Sequence, residues 1–443
     1  MKHGRIRLVL AIAVLAIALV IPTVAAADGW VLNRGLIGFS MGGTEWAQPQ
    51  VSGHWAAYLA RPTAGLWSLY VYDLGRDVGP VQIAHDAVWN VDTPAISGDN
   101  VVYQMGFDIY VKNVSTGALK TITSDGLTTL EVAPAISGKY VVWSAYNGVD
   151  SDVWGKDFTS TKPKFLIAGG AGNQGEPAIY GTRVAYRDAT TILPGAGQIK
   201  VKTIGSTAAP KMITNNLIDQ NSPSIGDHLV AWRAQVGGVW VIRYYNYDTA
   251  LTYDGPSDPA QDMQNPQVAG DRILFDYSNG SDKDMWVFDV RAHRSSGSLM
   301  TSFAMPNTSS DEIWGTIGGN SAVYLSNGFP YWAKFAVPSV SIGSVPTRVP
   351  HHGHIHLKGY LTDQGVPLAY TTAYVEKYSS TTGKWNKVKT LTTSRTGYYS
   401  YTTPTLHSKT KYRVAYDGSI TLFASGISRH FSAVSSVRTG WPR

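Results

Sequence analysis

Four of the five glutamates in this 443-residue chain stand just ahead of a recurring motif: Glu45, Glu131, Glu176 and Glu312. Asp92, Asp219 and Asp262 take the same relative place ahead of other copies, and Trp46, Trp89 and Trp314 accompany them. Carboxylates accept hydrogen bonds from hydroxyls and attract cations, and indoles stack on apolar faces. Gathered on one rim, such a set holds a cation, a cationic peptide or a sugar. Taken singly, loop carboxylates are solvated, or they satisfy backbone donors between repeats. Asp219-Gln220-Asn221 and Asn173-Gln174 have the look of the latter.

Other groups are candidates on weaker grounds. Asn147-Gly-Val-Asp-Ser-Asp152 and Asn279-Gly-Ser-Asp-Lys-Asp284 share one hairpin position and offer Asp150, Asp152, Asp282 and Asp284 as oxygen ligands. Such clusters could bind Ca²⁺, although no cofactor is expected, and Asn-Gly with Asp is equally what a tight hairpin demands. His352, His354 and His356 fall on one face of a strand. Parallel imidazoles suit a tetrahedral metal poorly and a solvated face well. Gly38-Phe-Ser-Met-Gly42 has the nucleophile-elbow spacing without the strand–turn–helix setting that gives it meaning. Lys384, Lys387, Lys389, Lys409, Lys411 and Arg413 form a basic set among tyrosines, suited to an anionic wall polymer.

The elements that position these residues come from a repeat. Thr93-Pro-Ala-Ile-Ser-Gly-Asp-Asn-Val-Val-Tyr103 returns as Ala133-Pro-Ala-Ile-Ser-Gly-Lys-Tyr-Val-Val-Trp143. Weaker copies begin at Pro49, Pro177, Pro223 and Pro266, and a seventh at Gly315 lacks the proline. The steps are 45, 40, 43, 46, 43 and 49 residues. Such a period marks a stacked or radial repeat. Within one copy, Ala95–Ser97, Val101–Gln104, Asp108–Asn113 and Leu119–Thr123 read as four short strands divided by glycine turns, which is one propeller blade. The seventh copy lacks a fourth strand and Trp30–Phe39 has no blade of its own, so this N-terminal strand is expected to close the ring. Seven blades is the reading, with six and one irregular repeat as the alternative.

The PAISG-x-x-VVY/W motif and the Asp108-Ile-Tyr-Val111 type of strand resemble the TolB-like propeller repeats of exported proteins, over about Pro49 to Phe335. The resemblance implies an all-β propeller used for binding. Strand-ending Trp-Asp pairs and recurrent paired glycines are missing from the pattern, which separates it from WD40 and kelch repeats.

Residues 1–27 read as an export signal: Lys2, Arg5 and Arg7, then the apolar run Leu8–Ile21, then Ala25-Ala26-Ala27. An uncleaved membrane anchor is the alternative. The chain has no cysteine, which excludes disulfides and thiol chemistry. Residues 28–337 are expected to form the propeller. Residues 338–443 begin with Pro338, Pro346 and Pro350 and show evenly spaced strands, the pattern of a β-sandwich. Gly383-Lys-Trp385, Thr393–Tyr399 and Tyr412–Gly418 resemble immunoglobulin-like modules of secreted proteins, which act as spacers or binding modules.

The expected function is therefore that of an exported, non-enzymatic binding or scaffold protein. Its partner would be a protein or polysaccharide of the envelope or surroundings, with no nucleic acid. A polysaccharide lyase or glycosidase with rim carboxylates is the rival, and a structural surface-layer component the third reading.

Overall fold

A computed structural model describes residues 31–442, with interruptions at 38–43, 64, 87, 126–127, 190–195, 257–260, 279–282, 292–301, 305–310, 336–337, 347, 351–352, 364–365, 424–425 and 431–432. The expected export signal, the Ser40 motif, Asp282 and His352 lie outside the described residues.

Among the described residues up to Phe335 there are seven four-stranded antiparallel sheets, six of them each a meander of one repeat. The second is representative: Val91–Ser97, Asn100–Met105, Asp108–Asn113 and Leu119–Thr121. The seventh takes three strands from its own repeat, Glu312–Gly318, Ser321–Ser326 and Phe329–Phe335. Its fourth is the N-terminal strand Val31–Leu36, antiparallel to Phe329–Phe335. No single sheet can bury both its faces, and each packs on the next. One apolar cluster joins the first and second sheets through Ala57, Leu59, Val71, Val101 and Tyr103. Equivalent clusters follow at every junction to the sixth and seventh. A last one brings Val323 and Leu325 against Trp46, Ala56 and Tyr58, so the seventh sheet packs on the first. The first strands of neighbouring sheets pack beside one another.

The motif now has a physical reading. Its first strand does not begin at the proline: it starts about three residues earlier and runs through it. In each sheet two residues of this strand face one residue of the second strand, which is a β-bulge. The proline is the second bulged residue and has no ladder partner, so its missing N–H costs nothing there. The residue before it takes a left-handed backbone in every copy: Gln48, Thr93, Ala133, Glu176, Ser222, Asn265 and Trp314, with φ between 42° and 55°. The one residue opposite is always a buried aromatic: Tyr58, Tyr103, Trp143, Tyr186, Trp232, Phe275 or Tyr324. Gly315 replaces the proline in the seventh sheet because a Cβ there would lie 2.3 Å from Met285 Cε and 2.9 Å from Leu274 Cδ2.

The serine and glycine of PAISG link one sheet to the next. Ser52 Oγ accepts the Gly98 N–H at 3.0 Å, Ser97 Oγ that of Gly138 at 3.1 Å, and Ser137 Oγ that of Gly181 at 2.9 Å. Each glycine is in the left-handed turn region, where a side chain would be strained.

Beyond Phe335 the strands form separate sheets. One orders Arg348–Val349, Arg438–Pro442, Thr410–Tyr416, Thr372–Ser379 and Lys384–Thr392; another sets His356–Asp363 between Ser339–Val340 and Tyr398–Thr402. Ile355, Leu357, Leu361, Val375, Tyr399 and Val414 share their core.

Candidate functional site

The expected acidic rim is redistributed by the bulge. Counted from the left-handed residue, the candidates are not equivalent. Glu45, Asp219 and Asp262 lie three residues before it, Trp46, Glu131 and Glu312 two before, and Asp92 one before. Glu176 and Trp314 are the left-handed residue itself. Trp89 precedes its strand. In a strand, neighbouring positions face opposite ways, so this set does not converge on one ligand.

The first position joins sheets. Asp219 Oδ1 accepts Gly197 N–H at 2.7 Å, and Asp262 Oδ1 accepts Trp240 N–H at 2.8 Å. Asn90, Asn173 and Asp311 hold the corresponding amides of Trp67, Ser151 and Lys283. Asp219 also pairs with Arg187 at 3.0 Å, and Glu45 with Arg61 at 2.7 Å. These carboxylates serve backbone donors and arginines rather than an open mouth.

The second position is buried between sheets. Trp46 is core, 4.8 Å from Phe329 between ring centroids. Glu312 is buried and accepts Ser326 Oγ–H at 2.8 Å. Glu131 is fully buried with Lys164 Nζ at 3.6 Å, and burial pushes its carboxyl up to about 7 against the lesser pull of Thr123 and Lys164. Asp92 accepts Gln48 Nε2–H at 2.9 Å, and Glu176 accepts Ser222 N–H at 2.5 Å, each bond crossing to a neighbouring sheet. Trp89 is half-exposed and lies edge-on to Phe107 at 5.6 Å.

The exception is at the junction of the sixth and seventh sheets. Trp314 exposes 46% of its surface beside a cavity of 40 Å³ lined with Asp262, Gln264, Asp276, Ser278 and Lys283. Asp276 is buried in the strand Arg272–Ser278. Burial pushes its carboxyl up to about 6, against hydrogen bonds from Asn265 Nδ2 at 2.6 Å and Trp314 N at 3.4 Å. Asp276 was not among the sequence candidates. The signal was present: a lone acid in the apolar run Ile273-Leu-Phe-Asp-Tyr277, where other repeats carry Gln104, Ser144, Arg187 and Arg233.

The metal candidates do not assemble. Among the described residues no group of three or more His, Asp or Glu is placed to hold a metal ion. Asp150 caps its own hairpin through Asn147 Nδ2 at 2.8 Å. Burial raises the pKa of Asp152, and Asp284 is buried in its strand. His356 opens the strand His356–Asp363 and His354 precedes it; both are exposed, bonded to Thr402 Oγ1 at 2.9 Å and Thr403 O at 2.7 Å respectively.

The basic set of the C-terminal strands is also divided. Arg413 is buried on Glu376 at 2.7 Å and stacks 4.4 Å from the Trp385 ring; Lys387 pairs with Asp417 at 2.5 Å. Arg291, which follows the third strand of the sixth sheet, pairs with both Glu376 and Asp417. This buried cluster borders a 390 Å³ cleft that also touches Asp248 and Thr249, and it docks the C-terminal strands against the repeat region.

No known protein family matches the chain, and no curated protein is similar to it in sequence. Similarity is found among solved structures. An oligogalacturonate lyase in complex with manganese aligns with a TM-score of 0.52 at 12% identity, over 70% of this chain and 98% of that one. The β-propeller domain of the Trilobed protease from Pyrococcus furiosus aligns at 0.50 and 9% identity, over 65% and 91%. A puromycin hydrolase aligns at 0.50 and 13% identity, over 72% and 58%. The shared feature is the fold: the repeat region is a β-propeller. At these identities neither the lyase nor the hydrolase activity follows for this chain.

Proposed function

We propose that this is an exported, non-enzymatic binding or scaffold protein. It is a seven-bladed propeller closed by Val31–Leu36, followed by an immunoglobulin-like β-sandwich. The complete circuit of inter-sheet clusters supports the blade number. The binding face is the one that carries the Trp314 pocket. One observation carries this reading: the inner-strand carboxylates are engaged within or between blades, while Trp314 stands half-exposed beside a polar cavity. A half-exposed indole beside buried polar groups is the composition of a recognition site. The Arg291 cluster makes the sandwich a fixed base under the propeller.

Asp262 and Asp276 share the cavity in unequal environments, which is the feature a glycosidase or lyase would need. A cavity of 40 Å³ takes the end of a side chain and not a sugar ring, since substrate pockets are several hundred Å³. Binding is therefore preferred over catalysis.

The test presents glycan and peptide arrays to the protein from Asp28, in parallel with Trp314→Ala and Glu45→Gln. Binding lost in Trp314→Ala and kept in Glu45→Gln supports the assignment. Binding indifferent to Trp314 overturns it. Any bound glycan that is cleaved, with cleavage lost in Asp276→Asn, moves the protein to the enzyme class.

A further inference from the structure

Asp276 is 6% exposed, and its two oxygens are treated differently. Oδ2 accepts the Asn265 side-chain amide and the Trp314 N–H. Oδ1 is buried with no hydrogen-bond partner among the described residues, and Asp276 lines the cavity together with Trp314. A buried carboxylate oxygen requires a donor. At 40 Å³ the cavity admits a water or a terminal group of one or two heavy atoms.

Charge selects among donors. With both acids ionised, Asp262 and Asp276 against Lys283 leave the lining one negative charge in excess. A hydroxyl satisfies Oδ1 and leaves that charge uncompensated. An ammonium satisfies both, and a charge-assisted bond to a carboxylate is about twice as strong as a neutral one. Trp314, half-exposed and lining the cavity, supplies an aromatic surface suited to a cation and an apolar one suited to a methylene stem. An amine fixed to a sugar ring cannot bring its nitrogen so deep without the ring, whereas a linear arm can.

We infer that this cavity receives the ε-ammonium of a lysine presented by a protein partner, with Asp276 Oδ1 accepting from it and Trp314 covering the stem. The inference rests on the reading that the Trp314 face binds a partner.

The test uses the full exported chain and three probes: Nα-acetyl-lysine methylamide, Nα-acetyl-norleucine methylamide and glucosamine. Saturation-transfer NMR and calorimetric titration read their affinities. The lysine probe is expected to bind in the millimolar range and the other two at least tenfold more weakly. Asp276→Asn weakens the lysine probe at least tenfold. Lys283→Ala, an exposed change that removes a like charge, tightens it severalfold and serves if Asp276→Asn does not fold. Norleucine or glucosamine binding equal to lysine overturns the inference, as does no lysine binding, which leaves the cavity to a water. Array ligands that depend on Trp314 while the lysine probe is ignored remove the ammonium and leave the binding face intact. Lysine binding with silent arrays supports the pocket and removes the array ligands.

Discussion

Replacing Glu131 with glutamine should stabilise the protein at alkaline pH and leave it unchanged in acid. The side chain is fully buried between the second and third sheets and neither oxygen makes a direct hydrogen bond. Burial raises its pKa from 4.5 to about 7, with Thr123, Lys164 and Trp143 pulling the other way. A carboxyl whose folded pKa lies above its unfolded one holds its proton more tightly when folded. Its contribution is complete below pH 4.5 and is lost as pH rises through 7. The distance between the two values corresponds to roughly 3 kcal/mol at full ionisation. Glutamine keeps the shape and carries no charge to bury. Urea unfolding from pH 4 to pH 8.5 therefore gives coincident midpoints for the two proteins in acid, diverging above neutrality in favour of Glu131→Gln. Parallel profiles across the range would refute the reasoning. A variant less stable at pH 8.5 would show that the 3.6 Å pair with Lys164 outweighs desolvation.

Three further predictions concern the scaffold. Arg291→Ala removes a partner from both Glu376 and Asp417, which are buried. Loss of such a pair costs about 3–5 kcal/mol, and limited proteolysis should then separate the repeat region from the C-terminal strands; an unchanged digest argues against the cluster as the dock. Ser97→Ala or Ser137→Ala takes away one inter-sheet bond to a glycine amide, an expected loss of about 1 kcal/mol each, read from urea midpoints; no change means water replaces the hydroxyl. Gly315→Ala puts a Cβ against Met285 and Leu274 and should cost about 1–3 kcal/mol, with Met285→Val restoring part of it; equal destabilisation in both backgrounds refutes the steric account.

Much of the fold was legible because the repeat carries its own punctuation. Asp108–Asn113 was read to the residue. Alternating side chains and glycine turns are local signals. The N-terminal strand was placed in the seventh sheet from a missing strand at one end and a spare one at the other. The start of the first strands was misread, because a proline normally ends a strand and here it occupies a bulge. That error put Glu131 and Glu312 in a loop at a rim, when each is buried between sheets.

The order of strands within a repeat and the period were determined by the sequence alone, since each depends on neighbours within about forty residues. Which acids are buried, paired or left beside a cavity was decided only by tertiary structure. A bulge changes the facing of every residue before it, and the pairing of Asp219 with Arg187 or of Arg291 with Glu376 joins different sheets. Asp276 is the clearest case. Its own strand makes it one polar residue in an apolar run, and only the packing of Trp314 from the next sheet turns it into the wall of a cavity.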